Sequence, residues 1–456
     1  MNIVYFLEKI DFYLWNIFLI YPLIFVGLYL TIKLKGLQFR YFFLSLKLAF
    51  SKHKDEGVGE ISHFGALMTS LAGTIGIGSI AGMATTILAG GYGSIFWMWI
   101  VSLILMAARY SEAILAVKYR QIKNNKIAGG PMYYIKHGLN SNILSYGFAI
   151  FGILASFCGG NLIQSQTISD SVHELFNIPH VITGLLISFF AFISIIKGIK
   201  NLGKINSYLV PIMAILYLSG AIYIIAINYQ MIIPSFFLIF KSAFNTKAMA
   251  VGSFGAGIMS AIQIGVARGI ASNEAGLGTA AIASSAAKTN EPAKQALISI
   301  SSVFLSTFVV CTITVLLLMC TNVVGIKDLS GNFINGAPLV MKAFSKHIIY
   351  GNYIVGICVI LFGFTTILGY AYYVEKCFEY VFKNQKFFML RIVFVLVSFL
   401  GAMLSIKVVW PLADIFNGLM AIFNIIAIFL LSKVVLDETK SYFLLKHTKD
   451  KSLFQK

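Results

Sequence analysis

Three stretches of this sequence could do chemistry at the depth of a lipid bilayer. Residues Ala72 to Gly82 read AGTIGIGSIAG, four glycines inside one long apolar run. Thr365 and Thr366 stand side by side in a second run, ILFGFTTILGYAYY, and Arg109 and Glu112 lie one helical turn apart in a third. Glycine in a helix interior costs about 1 kcal/mol relative to alanine, so a cluster of glycines needs a compensating use. Close helix packing is one, and Gly78 with Gly82 has the small-xxx-small spacing. The other is a helix that unwinds from Gly73 to Gly78, leaving backbone groups that are tolerated at membrane depth only where they line a cavity or meet a ligand.

An unwound segment presents two opposite poles. The N-terminal end of one half-helix attracts a carboxylate; the free carbonyls and C-terminal end of the other attract a cation. A zwitterionic amino acid uses both poles, and sodium, a hard cation, takes oxygen ligands that threonine hydroxyls can complete. Thr365 and Thr366 are the candidates, with bonding back to the preceding helical turn as the alternative. Arg109 with Glu112 reads as an ion pair bracing an inner gate. Arg268 and Glu274 bracket the inner end of the seventh apolar run, where either a gating salt bridge or positive-inside anchoring accounts for the arginine. Phe254, beside a second glycine break, reads as a hydrophobic lid.

These residues must be positioned by a membrane protein. The chain has 456 residues, 58% of them hydrophobic and 11% charged, and apolar runs long enough to cross a hydrocarbon core recur along most of it. Eleven spans are expected, at about 14–34, 62–90, 92–118, 145–174, 180–198, 205–227, 247–270, 295–320, 348–380, 387–406 and 409–434. The formal charge of +18 comes from basic residues between the runs, which speaks for topology and against nucleic-acid binding. That distribution sets the N-terminus outside and the C-terminus in the cytoplasm. Five scattered cysteines read as core residues. Nothing has the spacing of a metal site, an enzyme's nucleophile and base, or a channel's selectivity filter. The first span stands apart; the other ten divide into two fives of opposite orientation, each headed by a glycine-interrupted span, which is the pattern of an inverted-repeat transporter. The expected division is an N-terminal helix with an inner-surface amphipathic segment at 1–61, repeats at 62–228 and 229–435, and a basic tail at 436–456. The abundance of Ile, Lys and Asn suggests an AT-rich bacterial genome and hence the inner membrane.

GTIGIGSIAG, GGPMYYI, GNLIQSQ, VARGIASNEAGLGTA, FGFTTILGY and WPLADIFNGLMAIFN follow one another along the chain, and together they resemble the alanine/glycine:cation symporter family, the sodium:alanine symporters. The resemblance implies an all-α polytopic membrane protein of the LeuT type: a 5+5 inverted repeat with one extra N-terminal helix. It implies sodium-coupled symport of a small neutral amino acid, alanine or glycine, by a chain that is not an enzyme and acts as a monomer. Proton coupling within the same fold, or an ion channel, are the alternatives. Carried over by motif, Gly76, Ile77 and Gly78 receive the substrate carboxylate. Gln164, Phe254, Gly255, Gly257, Met259, Thr366 and Tyr370 line the pocket. Ala72, Ile75 and Phe362 with Thr365 and Thr366 hold the sodium. Threonine is usual in the family where Ile77 stands, asparagine where Ser79 stands and tryptophan where Tyr370 stands, so Ile77 and Tyr370 are expected to alter the pocket wall. Gly76→Leu separates the two uses of the glycines: if the helix breaks around substrate, uptake is abolished while expression and membrane insertion persist, and normal uptake would leave only the packing explanation.

Overall fold

A computed structural model describes residues 3–51, 57–123, 126–196, 199–244, 258–327, 331–383 and 387–453. Among them, eight helices are long and apolar enough to cross a membrane, and His180–Ile195 and Phe387–Met403 are shorter apolar helices. The seventh expected span is seen only as Ile258–Asn273. Its earlier part, with Phe254, Gly255 and Gly257, lies outside the described residues. A β-hairpin, Gln121–Lys123 paired antiparallel with Lys126–Ala128, is the one sheet among them.

The second span is two helices, His63–Thr74 and Ile77–Gly90. Ser62 starts the first: its hydroxyl accepts the Gly65 N–H, satisfying a donor that the helix cannot pair internally. The interruption is narrower than the glycines suggest, because only Ile75 and Gly76 are non-helical and Gly73 and Gly78 belong to the flanking helices. Ser79 partly bridges the gap, its hydroxyl donating to the Thr74 carbonyl at 3.2 Å and its N–H to the Gly76 carbonyl at 3.1 Å. Around the broken helix pack Gly93–Lys118, Ile199–Ile227, Pro292–Val303 and the 32-residue Gly351–Phe382.

Three segments between or after the expected spans are also folded. The segment after the seventh span turns into the bundle: Asn273, Glu274, Ala275 and Leu277 are buried, and the helix Thr279–Ser285 that follows is buried throughout. Gly276 and Gly278, at φ +91° and +87°, make the turns that return it into the bundle, a conformation open to glycine without a Cβ penalty. The outer loop after Cys320 contains a helix, Gly336–Ser345, packed on Ile77–Gly90 and Gly351–Phe382. Ile232–Ala243 is a further amphipathic helix between the sixth and seventh spans, with Phe237 and Phe240 exposed.

At the end of the bundle remote from the N-terminus, the lead-in to the broken helix is sealed against the segment at 285–290. The Glu60 N–H donates to the Ala286 carbonyl at 2.8 Å, and the Lys288 N–H to the Ile61 carbonyl at 2.8 Å. Arg120 ties both strips together, donating to the carbonyls of Ser285 at 2.9 Å, Ala287 at 2.7 Å, Val58 at 2.6 Å, and Thr289. Hydrogen bonds from a charged donor contribute more than neutral ones. Arg120→Ala is expected to destabilise the protein by about 2 to 4 kcal/mol, read as a lower midpoint of thermal unfolding in detergent.

Candidate functional site

The break opens into a cavity of about 70 Å3 lined by Gly73, Gly76, Gly78, Gln164, Thr366 and Tyr370, and by Glu274 from the returning segment. Toward the end that carries the N-terminus it is bounded by Arg268, Trp410 and Asp414. Two larger cavities, of about 360 and 690 Å3, lie beyond and are also lined by Arg268.

Its backbone supplies the two poles. Ile77–Gly90 begins at the cavity, so the leading N–H groups of that helix have no partner within it. Beside Gly78, no heavy atom of the described residues lies within 4 Å of where a Cβ would stand. At Gly76 a Cβ would stand 2.8 Å from the Thr366 Oγ1 and 3.6 Å from the Gln164 Oε1, so glycine is required by close approach. The Ile77 side chain is fully buried and packs toward Gly363. It does not line the cavity, contrary to the expectation that it shapes the wall; the first residue of the half-helix contributes its N–H and turns its side chain into the bundle.

The two threonines diverge because neighbours on a helix point about 100° apart. Thr366 faces the break: its Oγ1 lies 2.7 Å from the Ala72 carbonyl and 2.8 Å from the Phe362 carbonyl. One hydroxyl proton cannot fully serve both carbonyls, so three oxygens converge with capacity to spare. Thr365 bonds back to Leu361 and Phe362 at 3.0 and 3.1 Å and faces the Met213 sulfur at 3.5 Å. Ala72, Phe362 and Thr366 are thus brought together, with Thr365 touching the group only through the Phe362 carbonyl. Ile75, buried, ends the first half-helix with its N–H 2.6 Å from the Leu71 carbonyl.

The polar wall comes from three side chains. Gln164 donates its Nε2 to the Gly159 carbonyl at 3.1 Å, and its buried Oε1 has no hydrogen-bond partner among the described residues. Tyr370 donates to Glu274 Oε1 at 2.6 Å, and Thr279 donates to Glu274 Oε2 at 2.7 Å. The Tyr370 side chain lies close against Gly160, where a Cβ would come within 2.0 Å of its Cγ. Gly160 sits in a π-helical turn, Cys158–Leu162, that interrupts the fourth span; such turns often occur at functional sites. The glycine pair in CGGNL was the sequence signal for it.

Ionisable groups extend from the cavity in both directions. Arg109 Nη1 lies 3.7 Å from Glu112 Oε2, and both side chains are buried. Arg109 also donates to Ser70 on the first half-helix, and to Ser302 at 3.4 Å. Glu112 Oε1 accepts the Gly276 N–H at 2.9 Å and the Asn424 side chain at 2.6 Å, holding the returning segment in place. Arg268 and Glu274 do not form a gating bridge. Six residues of separation place them on different sides of the helix end, and Glu274 has already left the helix at φ +53°. Arg268 instead lies at the opposite end of the cavity, 3.7 Å from Asp414 and with its guanidinium 4.8 Å from the Trp410 ring. Met259 is 59% exposed and does not line the cavity. Sequence reasoning missed Gly160 and Trp410 as parts of the site, and put Glu274 at a gate.

A broken helix enclosing a small polar cavity, within a bundle of apolar membrane-length helices, defines a membrane transporter. The solved structure of MhsT in complex with L-phenylalanine has the same fold, the LeuT type, with a TM-score of 0.59, 12% identity, and coverage of 83% of this chain and 98% of that one. The chain belongs to the sodium:alanine symporter family, whose model matches residues 1–456. It is 45% identical to the sodium/alanine symporter AgcS of Methanococcus maripaludis, over 97% of this chain and 98% of that one. It is 36% identical to the probable sodium/glutamine symporter GlnT of Bacillus subtilis, over 94% of this chain and 88% of that one.

The Gly160–Tyr370 contact yields a test. Gly160→Val must displace the ring, and the expected result is a loss of amino-acid uptake of about tenfold or more, as for other small misplacements of a site, with the protein still eluting as one species in detergent. Unchanged uptake would mean that the ring position does not matter.

Proposed function

We propose that this protein is a secondary active transporter that carries a small neutral amino acid, alanine or glycine, into the cell together with sodium, by alternating access. The observation that carries the proposal is the break at Ile75–Gly76, whose opposed helix ends face a cavity of about 70 Å3. That volume suits a small zwitterion. Its carboxylate is taken by the N–H groups at Ile77 and Gly78, with Gln164 completing its hydrogen bonds and Tyr370 limiting its size. Sodium is taken by the carbonyls of Ala72 and Phe362 with the Thr366 hydroxyl, an oxygen set of the kind a hard cation takes. The sodium/alanine and sodium/glutamine names of the relatives agree with this reading. The unpartnered Gln164 oxygen and the Tyr370 hydroxyl leave room for a choice among small amino acids.

In this reading the eleven spans form the first helix plus two inverted repeats of five, at 62–228 and 229–435, in a bacterial inner membrane with the N-terminus outside. The chain acts as a monomer. The seal made by Arg120 opens when substrate and sodium leave toward the cytoplasm. One sodium moving with a net-neutral substrate carries charge, so a potential of 100 mV adds about 2.3 kcal/mol to the driving force.

Proteoliposomes given radiolabelled alanine, glycine and serine under an inward sodium gradient, a proton gradient or neither test this directly. Accumulation of alanine or glycine that requires sodium is expected. Thr366→Val should weaken sodium activation by about tenfold or more, as the loss of one buried polar ligand group does, and Thr365→Val should have the smaller effect. Uptake driven by protons alone would overturn the sodium assignment.

A further inference from the structure

Glu274 is a buried carboxylate with no ion-pair partner among the described residues. It is 2% exposed, and among the described residues its carboxylate oxygens accept only the hydroxyls of Tyr370 and Thr279. No Lys or Arg forms an ion pair with it among the described residues. Arg109 is committed to Glu112 and two serines, and Arg268 to Asp414. Burying a carboxylate away from water is costly unless an opposite charge or several donors compensate, and two neutral hydroxyls compensate only in part.

The open side of this carboxylate faces the cavity, where it is part of the lining. It also lies over the end of the first half-helix: a Cβ at Gly73 would stand 3.1 Å from Glu274 Oε1 and 3.4 Å from Oε2. Gly73 belongs to the last turn of His63–Thr74, whose terminal carbonyls carry the negative end of the helix dipole. A side-chain charge and a dipole end of the same sign therefore converge on one wall. The positive N-terminus of Ile77–Gly90 lies on the other side of the break. This polarity matches an α-amino acid lying across the break.

We propose that Glu274 is the anchor for the substrate's ammonium group, rather than a gate residue or a sodium ligand. This rests on the reading that substrate occupies the break. Sodium is already provided with oxygens by Ala72, Phe362 and Thr366, whereas among the described residues the other carboxylate in the cavity lining, Asp414, is paired with Arg268. Tyr370 and Thr279 are then positioning residues that hold the carboxylate toward the cavity, with Gly160 behind the tyrosine ring. The cavity selects for compounds bearing an α-ammonium group and rejects isosteric carboxylic acids such as lactate and propionate.

The test is alanine binding to the purified full chain in saturating sodium by calorimetry, together with the thermal stabilisation given by sodium alone. Glu274→Gln is expected to weaken alanine binding by about 30-fold or more, the usual loss when one member of a buried charge pair is removed, and to leave the sodium stabilisation in place. Alanine affinity within a few-fold of wild type would overturn the assignment, and so would loss of the sodium response together with alanine binding, which would make Glu274 a sodium ligand. Should Glu274→Gln not give a folded protein, Glu274→Asp keeps the charge but withdraws it by one methylene; a tenfold loss supports the proposal and unchanged affinity overturns it. Gly76→Leu in the same assay separates the two levels. If it still binds alanine, substrate lies elsewhere and the underlying reading fails; if it does not while Glu274→Gln does, only the role of Glu274 fails.

Discussion

A helix cannot stop inside a membrane without something answering for the backbone groups it leaves bare. Here the answer is local and depends on few atoms: the Thr366 hydroxyl against the Ala72 carbonyl, and the Ser79 hydroxyl against the Thr74 carbonyl. Gly76 lets the helix that carries Thr366 approach closely, since a Cβ there would stand 2.8 Å from the Thr366 Oγ1. The interruption is thus held by a neighbouring helix on one side and by its own second half on the other, while the wall facing the cavity is left unsatisfied.

The rest of the bundle is organised to keep that wall in register. Glu112, Asn424 and the Gly276 backbone form one buried knot, and Tyr134 joins it through Asn424. Arg109 links the knot to Ser70 on the first half-helix. In a low-dielectric interior such a network is strong when satisfied and expensive when partly undone. The geometry at Glu274 therefore depends on residues well removed from the cavity.

Much of this was legible in the sequence, for reasons of period and composition. Apolar runs of membrane length gave the spans, and glycines at 73, 76 and 78 marked the interruption to within two residues. The threonine pair identified the helix facing it. Periodicity did not say which threonine faces the break, because that depends on the rotation of one helix against another. It did not reveal that the polar, small-residue stretch after Ile270 is buried: its composition reads as a surface loop, and only two left-handed glycines and a distant glutamate bring it inside. Arg268 read as an inner anchor because it sits near a helix end, yet its partner Asp414 is 146 positions away in sequence and invisible to local spacing.

The π-turn at Cys158–Leu162 has a consequence for how such a protein can diverge. Because backbone atoms of the broken helix supply much of the polar surface of the cavity, the side chains free to vary without disturbing the interruption are few: Gln164, displayed just after that turn, and Tyr370, seated on it. A turn of this kind comes from a single extra residue in a helix, so a one-residue insertion or deletion would rotate Gln164 and unseat Tyr370 together. Recognition would then be retuned in one mutational event, with the broken helix left untouched.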